Sequence, residues 1–287
     1  MLDLDPSRAI VPPRDAATLV VVRDAPAGLE VFCVERQKVG FLGGAIVFPG
    51  GKLDAGDLDA TWRERTTGLA ATSAGLGGDE TTQRGLAVAA CREALEEAAI
   101  LPLEGRALTH GDLLAWRERV ARREATLLSL LAERGARLDL AALRPMARWV
   151  TPAAESRRFD TRFYLYVARQ AITGAHDDVE TTASFWARPD EVLRRFGAGE
   201  LRLAPPTHRT LEILASSPDA ATAAAWADGS CLDPVCPQLV NHRDARGETV
   251  AFVLPGDPEH DVKEVLTRGS SRYVLRGDRF VPEAAPS

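Results

Sequence analysis

An α/β (α+β) fold is what this sequence predicts, and three observations predict it. Residues 17–22 and 29–34 are two β-rich runs on either side of Asp24-Ala25-Pro26-Ala27-Gly28, the pattern of a hairpin. Residues 79–99 place Leu86, Ala90, Ala94 and Ala98 four apart, with Ala87, Cys91 and Leu95 in the adjoining row, so one face of a helix is apolar. Residues 162–168 form the clearest strand, which belongs at the centre of a sheet packed on that helix.

The remaining elements follow in order. Residues 1–13 are acidic, then Pro-rich, and read as a loose arm. Residues 45–48 make a short strand ended by Pro49, and Gly50-Gly51 then allow a sharp turn and a close backbone approach to a metal or phosphate. An ordinary strand-ending turn is the plainer reading of the same residues. Residues 58–84 hold Trp62 among charges and then a Gly-, Ala-, Ser- and Thr-rich run, predicting a short helix and a loose loop, either a lid or a structural flap. Residues 105–145 read as a helical insertion, with Thr109 or Asp112 capping 113–124, the pattern continuing through 125–134, and a short helix over 138–143. Its arginines, Arg117, Arg119, Arg122, Arg123, Arg134 and Arg137, either attract an anion or solvate an amphipathic pair. Residues 148–151 are a strand, and 174–182 a polar loop carrying Asp177, Asp178 and Glu180.

Pro189 opens a helix with acids in its first turn, and Thr207 is the expected cap for 211–215. His208, beside that cap, either touches substrate or sits on the helix surface. Residues 216–230 read as a helix and linker, and 249–254, 271–275 and 279–281 as a small antiparallel β unit. That unit extends the main sheet, covers a cleft or pairs with a second subunit, so a homodimer is one reading. His242, Glu259, His260 and Asp261 match no metal-binding spacing. The division expected is 1–215 for the principal domain and 216–287 for a C-terminal extension.

Glu93, Glu96 and Glu97 are spaced i, i+3, i+4 and so share one arc of the helix. Like charges this close repel, and a hard divalent cation such as Mg2+ or Mn2+ relieves the repulsion with oxygen ligands. Arg92 lies beside the arc and is placed to brace the carboxylates. A solvated acidic face is the alternative, although no basic residue follows Glu93 or Glu97 at i+4. Arg36, just past a strand end, has the planar donor fork that matches phosphate oxygens, or is a surface arginine.

Phe48-Pro49-Gly50-Gly51-Lys52-Leu53-Asp54 and Arg92-Glu93-Ala94-Leu95-Glu96-Glu97 together resemble the box of the Nudix hydrolases, G-x5-E-x7-R-E-U-x-E-E-x-G-U, where U is a bulky apolar residue. Gly51 takes the first glycine and Ile100 closes the box. Asp57 stands for the first glutamate, Ala94 for a larger apolar residue and Ala99 for the last glycine. Between Asp57 and Arg92 lie 34 residues where the family has seven, so about 27 residues, 58–84, look inserted. The branch similar to the coenzyme A diphosphatases carries such an insertion, with FPGG-x-L-D-x-x-D before it and a T-P…R-F-D-T-R-F stretch later. Here Thr151-Pro152 and Arg158-Phe159-Asp160-Thr161-Arg162-Phe163 match the latter, and the resemblance spans about residues 14–215.

The resemblance implies a Nudix α/β/α sandwich with a mixed sheet and hydrolysis of a diphosphate linked to a second moiety. It implies Mg2+ or Mn2+ held by Glu93, Glu96, Glu97 and the Gly50 carbonyl, with Asp57 as a supporting or outer ligand and Arg92 bracing them. Glu180 is the expected further carboxylate, as ligand or general base, with Asp177 and Asp178 as rivals. Arg36, Phe41, Gly50 and Gly51 are the substrate-side candidates. Coenzyme A or an acyl-coenzyme A leads the substrates by resemblance, ahead of ADP-ribose, NADH and dinucleoside polyphosphates. A nucleotide-binding module without turnover is the reading of another class.

Bulk properties narrow the field. The 287 residues suit one large or two small domains, and 45% hydrophobic content is enough for a core. A net charge of −6 speaks against nonspecific nucleic-acid binding. Neither a leader peptide nor a bilayer-length apolar run is evident, so no membrane association is expected. Cys33, Cys91, Cys231 and Cys236 have no zinc-like spacing, and reduced thiols in a cytoplasmic protein are expected.

Overall fold

The computed structural model describes residues 9–37, 44–105, 108–168, 172, 174 and 181–285. Strands β1 (Arg14–Ala25) and β2 (Gly28–Arg36) make the expected hairpin, with Ala25 opposite Gly28, whose φ of 113° suits glycine. β3 (Ala45–Val47) lies against β2, and β4 (Gly50–Lys52) against β1. The helices α1 (Trp62–Arg65), α2 (Glu80–Ala98), α3 (His110–Ala121) and α4 (Leu127–Arg134) come next. They are followed by β5 (Arg144–Val150), β6 (Phe159–Val167), β7 (Thr181–Ala187), α5 (Pro189–Gly197), β8 (Arg202–Leu203) and α6 (Pro205–Ala215). The chain continues through α7 (Ala220–Asp228), β9 (Pro234–Val235), β10 (Gln238–Asp244), β11 (Gly247–Val253), β12 (Arg272–Arg276) and β13 (Arg279–Glu283).

The principal sheet runs β8-β3-β2-β1-β6-β5-β9, with β4 also on β1 and β7 also on β2. It is mixed: β1 and β6 are parallel from Arg14 opposite Phe159 to Val22 opposite Val167, while β5 is antiparallel to β6. Side chains alternate between the two faces, which is why one strand can serve two cores. Leu19 and Val21 pack with Leu86, Leu95 and Ile100 of the α2 region and with Leu130 of α4. Val20 and Val22 face the other way, onto Val192, Leu211 and Leu214 of α5 and α6 and onto Phe252, Tyr273 and Phe280 of the second sheet. That second sheet, β10-β11-β12-β13, is antiparallel throughout. Among the described residues no helix is long and apolar enough to cross a membrane.

The α2 helix starts and stops for local reasons. Asp79 caps it by accepting a hydrogen bond from the Thr82 amide. Ala99 ends it in the left-handed conformation, φ 50°, where the family has glycine. A β-carbon there costs about 1 kcal/mol.

Several expectations are corrected by the packing. Residues 58–84 are not a loose loop: Trp62 and Leu76 are buried in the α2-side core, and the Trp62 indole donates to the Gly56 carbonyl at 2.9 Å. Residues 113–134 are two helices with separate caps, Thr109 and Thr126, because Arg123 breaks the run at φ 58°. The stretch expected as a helix over 138–143 holds only the 3-10 turn Leu140–Ala142. Arg119, Arg122, Arg134 and Arg137 pair with Glu133, Glu118, Asp112 and Glu104, surface ion pairs that contribute little to stability. Thr207 is inside α6 rather than its cap, since the helix already begins at Pro205 with Ala204 preceding it. His208 is buried, neither surface nor bare to a ligand, and its Nδ1 lies 3.2 Å from the Tyr273 hydroxyl.

Candidate active site

Gly50 and Gly51 do not make a sharp turn. They are extended in β4, opposite Thr18 and Ala17 of β1. Closeness requires glycine at 50, where a β-carbon would lie 2.6 Å from the Ala17 carbonyl oxygen; one on Gly51 would lie 2.4 Å from Oε1 of Glu93, so that carboxylate would have to move. The Gly50 amide donates to Oε2 of Glu97 at 3.0 Å, and Glu97 is only 5% exposed. The double-glycine strand and the acidic helix therefore meet, across 47 residues of sequence.

Arg92 is the knot that ties the split box together. Its Nε and one terminal nitrogen donate to the two oxygens of Asp57, each at 3.0 Å, in the paired geometry a guanidinium favours. The other terminal nitrogen donates to Glu93 at 2.8 Å and lies 3.5 Å from Glu96, and the first also donates to the Lys52 carbonyl at 3.0 Å. Burial by itself would lower the Arg92 pKa, but Asp57, Glu93 and Glu96 outweigh it and hold the side chain charged. Burial raises the Glu96 pKa, with Arg92 opposing and the charges of Asp57 and Asp54 adding to the rise. Asp57 is 3% exposed and also accepts from the Asp54 amide at 2.9 Å. Both its oxygens are engaged, so it stands behind Arg92, in the position that orients Glu93.

The two pieces open onto a cleft of about 540 Å³. Glu93, Glu97, Gly50 and Gly51 line it, as do Arg36 and Lys52. Arg36 ends β2, beside an irregularity in its pairing with β7. Glu180 and its rivals Asp177 and Asp178, and also Phe41, lie outside the described residues. One residue of the cleft was missed from sequence. Glu155, 3% exposed, lines it from the turn between β5 and β6. It sits in a polar run without periodicity, and the only signal available was its place inside the T-P…R-F-D stretch. The second sheet lines the cleft, one of the three roles expected for it, through Phe252, Arg279 and Phe280, with Pro237 just ahead of β10.

A second acidic group lies elsewhere. His242, Asp244 and Glu283 approach within 4.8 Å of one another. Arg276 pairs with both carboxylates and Arg272 lies 3.3 Å from His242 Nδ1, so the charge of this group is already balanced by side chains.

The geometry has counterparts in known proteins. The family described as the NUDT19 Nudix domain matches residues 79–214. The solved structure of a Nudix hydrolase from Alicyclobacillus acidocaldarius is 33% identical, superposes with a TM-score of 0.62, and aligns over 76% of this chain and 97% of its own. The chain belongs to the Nudix hydrolase family. Within it, this Nudix chain falls in the NUDT19-like branch. It is 29% identical over 249 residues to the acyl-coenzyme A diphosphatase NUDT19 of Gallus gallus, covering 67% of this chain and 65% of that one. It is 30% identical over 239 residues to the protein of that name from Homo sapiens, covering 68% and 63% respectively. The chain thus spans less than two thirds of the length of these curated relatives. A divalent metal is typical of Nudix hydrolases.

Proposed function

We propose that the protein hydrolyses a nucleoside diphosphate linked to a second moiety, giving a nucleoside monophosphate and the phosphorylated second moiety, with coenzyme A or an acyl-coenzyme A as the leading substrate. One observation carries the reading: Gly50-Gly51 and Glu93 with Glu97 converge in the wall of a cleft that also holds Arg36 and Lys52. The relatives named acyl-coenzyme A diphosphatase support the substrate.

The residues fit a divalent cation. Glu93 and Glu97 are hard oxygen donors facing the cleft, Glu96 follows on the same arc, and bare backbone at Gly51 leaves the Glu93 carboxylate its room. When bound, Mg2+ or Mn2+ neutralises diphosphate charge and lowers the pKa of a coordinated water. The chain supplies the rest. Arg92 holds Glu93 in place while itself locked by Asp57. Arg36 and Lys52 receive phosphate oxygens. The proton of the attacking water passes to a carboxylate, Glu180 by its place ahead of β7 or Glu155 by its place in the cleft wall. The four free cysteines accord with the cytoplasmic location we propose.

The test is a mass-spectrometric product screen of purified protein with Mg2+ or Mn2+ against coenzyme A, acyl-coenzyme A, NADH, ADP-ribose and diadenosine polyphosphates. Release of 3′,5′-ADP from coenzyme A species is the expected result. Tight nucleotide binding with no turnover of any of them would make the protein a binding module instead. A companion variant, Gly51→Ala, is expected to push the Glu93 carboxylate out of place and lower turnover at least about tenfold, with melting temperature little changed. Full turnover in Gly51→Ala would show that the position of Glu93 is not critical.

A further inference from the structure

We infer that the second sheet is part of the substrate site, and that its aromatic wall receives an apolar tail carried by the substrate. The inference rests on the diphosphate reading of the same cleft and adds a subsite to it.

The second sheet is fastened to the body of the protein by specific polar contacts. Arg202 of β8 pairs with Asp278 in the turn between β12 and β13. Arg279 donates to the Phe196 carbonyl at 2.7 Å, and its guanidinium lies 5.3 Å from the Phe196 ring. Arg209, only 2% exposed, reaches the Ser270 carbonyl, and His208 meets Tyr273. The Arg202–Asp278 pair is exposed and adds little, but His208, Arg209 and Tyr273 are buried, and buried polar groups lose much of their benefit if one partner is withdrawn, so they hold the sheet in one position.

That position determines what faces the cleft. The floor is the face of the principal sheet turned away from α2: Thr18 is opposite Phe163, and Thr161 opposite both Ala16 and Trp149, so these side chains point the same way. Over it stand Phe252 and Phe280, stacked at 4.4 Å between centroids and 28° between planes. Pro205, Pro206 and Leu203 complete the wall. The cleft thus joins two chemistries, a charged region at Gly50, Glu93 and Glu97 and a carbon-lined region where the second sheet meets β8 and α6.

The diphosphate belongs to the first region. The second offers carbon surface from the side chains of Phe252, Phe280, Leu203, Pro205 and Pro206; Thr207 also lines it, as do Arg202 and Asp278, which pair with each other, and Arg279, which is spent on the Phe196 carbonyl. A nucleobase set there would leave its hydrogen-bonding edge unmatched by that carbon surface. A saturated tail has no such edge, and each methylene removed from water favours binding. The occupant is therefore the alkyl portion of an acyl-thioester substrate, not its base.

The experiment separates this subsite from turnover. Binding of coenzyme A, octanoyl-coenzyme A and ADP is measured by calorimetry on the full chain in EDTA, where no metal supports hydrolysis. Octanoyl-coenzyme A is expected to bind wild type at least about tenfold more tightly than coenzyme A. Ala204→Phe, which fills the wall beside Pro205, and Phe280→Ala, which opens it, are each expected to cut that advantage below about threefold. Circular dichroism identifies which variants fold, and either folded variant suffices. Equal binding of the two coenzyme A species by wild type would overturn the inference, as would a full tail advantage in the folded variants. Loss of ADP affinity in the variants without change in the tail advantage would assign the wall to the base and overturn it too. Turnover of coenzyme A with Mg2+ is scored separately: its absence, with the tail advantage intact, removes the hydrolase reading and leaves the subsite standing.

Discussion

Replacing Glu97 with Gln is expected to lower metal-dependent turnover at least about a hundredfold while leaving the fold intact. The side chain is 5% exposed and accepts the Gly50 amide at 3.0 Å. Glutamine has the same shape and can present its carbonyl oxygen to that amide, so the contact between β4 and α2 survives. The negative charge does not. Whatever the cleft gains from a hard, charged oxygen at this position is removed, and little else changes. Steady-state kinetics at saturating Mg2+ would be read beside a thermal melt. A variant that turns over like wild type would take Glu97 out of the mechanism. A variant that melts many degrees lower would assign the residue to stability instead.

Arg92→Ala acts on stability and activity together. It removes both guanidinium donors to Asp57 at once and leaves a carboxylate that is 3% exposed without its cation, held by the Asp54 amide. Breaking a buried pair from one side costs about 3–5 kcal/mol, chiefly because the remaining charge is stranded. Arg92 keeps some solvent contact, so the lower end is expected: about 3 kcal/mol, a fall in melting temperature of roughly 5–10 °C. Turnover should also drop, since Glu93 loses the group that aims it. The double variant Arg92→Ala/Asp57→Ala tests the cause: with the most buried of the Arg92 partners gone as well, part of the stability should return. Losses that simply add in urea melts would sink the account.

How much of this was readable beforehand depended on distance along the chain. The α2 helix, its acidic arc and the first hairpin are local patterns, set by side chains a few positions apart, and all were legible. Gly50 and Gly51 were recognised as special, but the turn expected of them is an extended strand. Their constraint comes from Thr18 of β1 and from Glu93, neither of which a local reading can place. Trp62 stands among charges in the sequence, and its ring is claimed by a core assembled from α2 and α4. β10 was not expected, since Gln238–Asp244 lacks a clear alternation and is organised by pairing with β11. His208 could not be read either, because its partner Tyr273 lies 65 residues further on. The docking of the second sheet onto β8 and α6, and with it the far wall of the cleft, is long-range throughout.

The grip of Arg92 on Asp57 also explains how the family's motif can be cut in two and still come together in space. With both ends of residues 58–84 pinned by that ion pair and by β4 on β1, lengthening the span only enlarges a closed ring. The entropy of closing a ring grows with the logarithm of its size: from seven residues to 34 the added cost is about 1.4 kcal/mol. Sinking Trp62 and Leu76 offsets that amount. Insertions at this joint are therefore nearly neutral for folding, which leaves natural selection free to vary them in length and content while the chemistry beside them stays put.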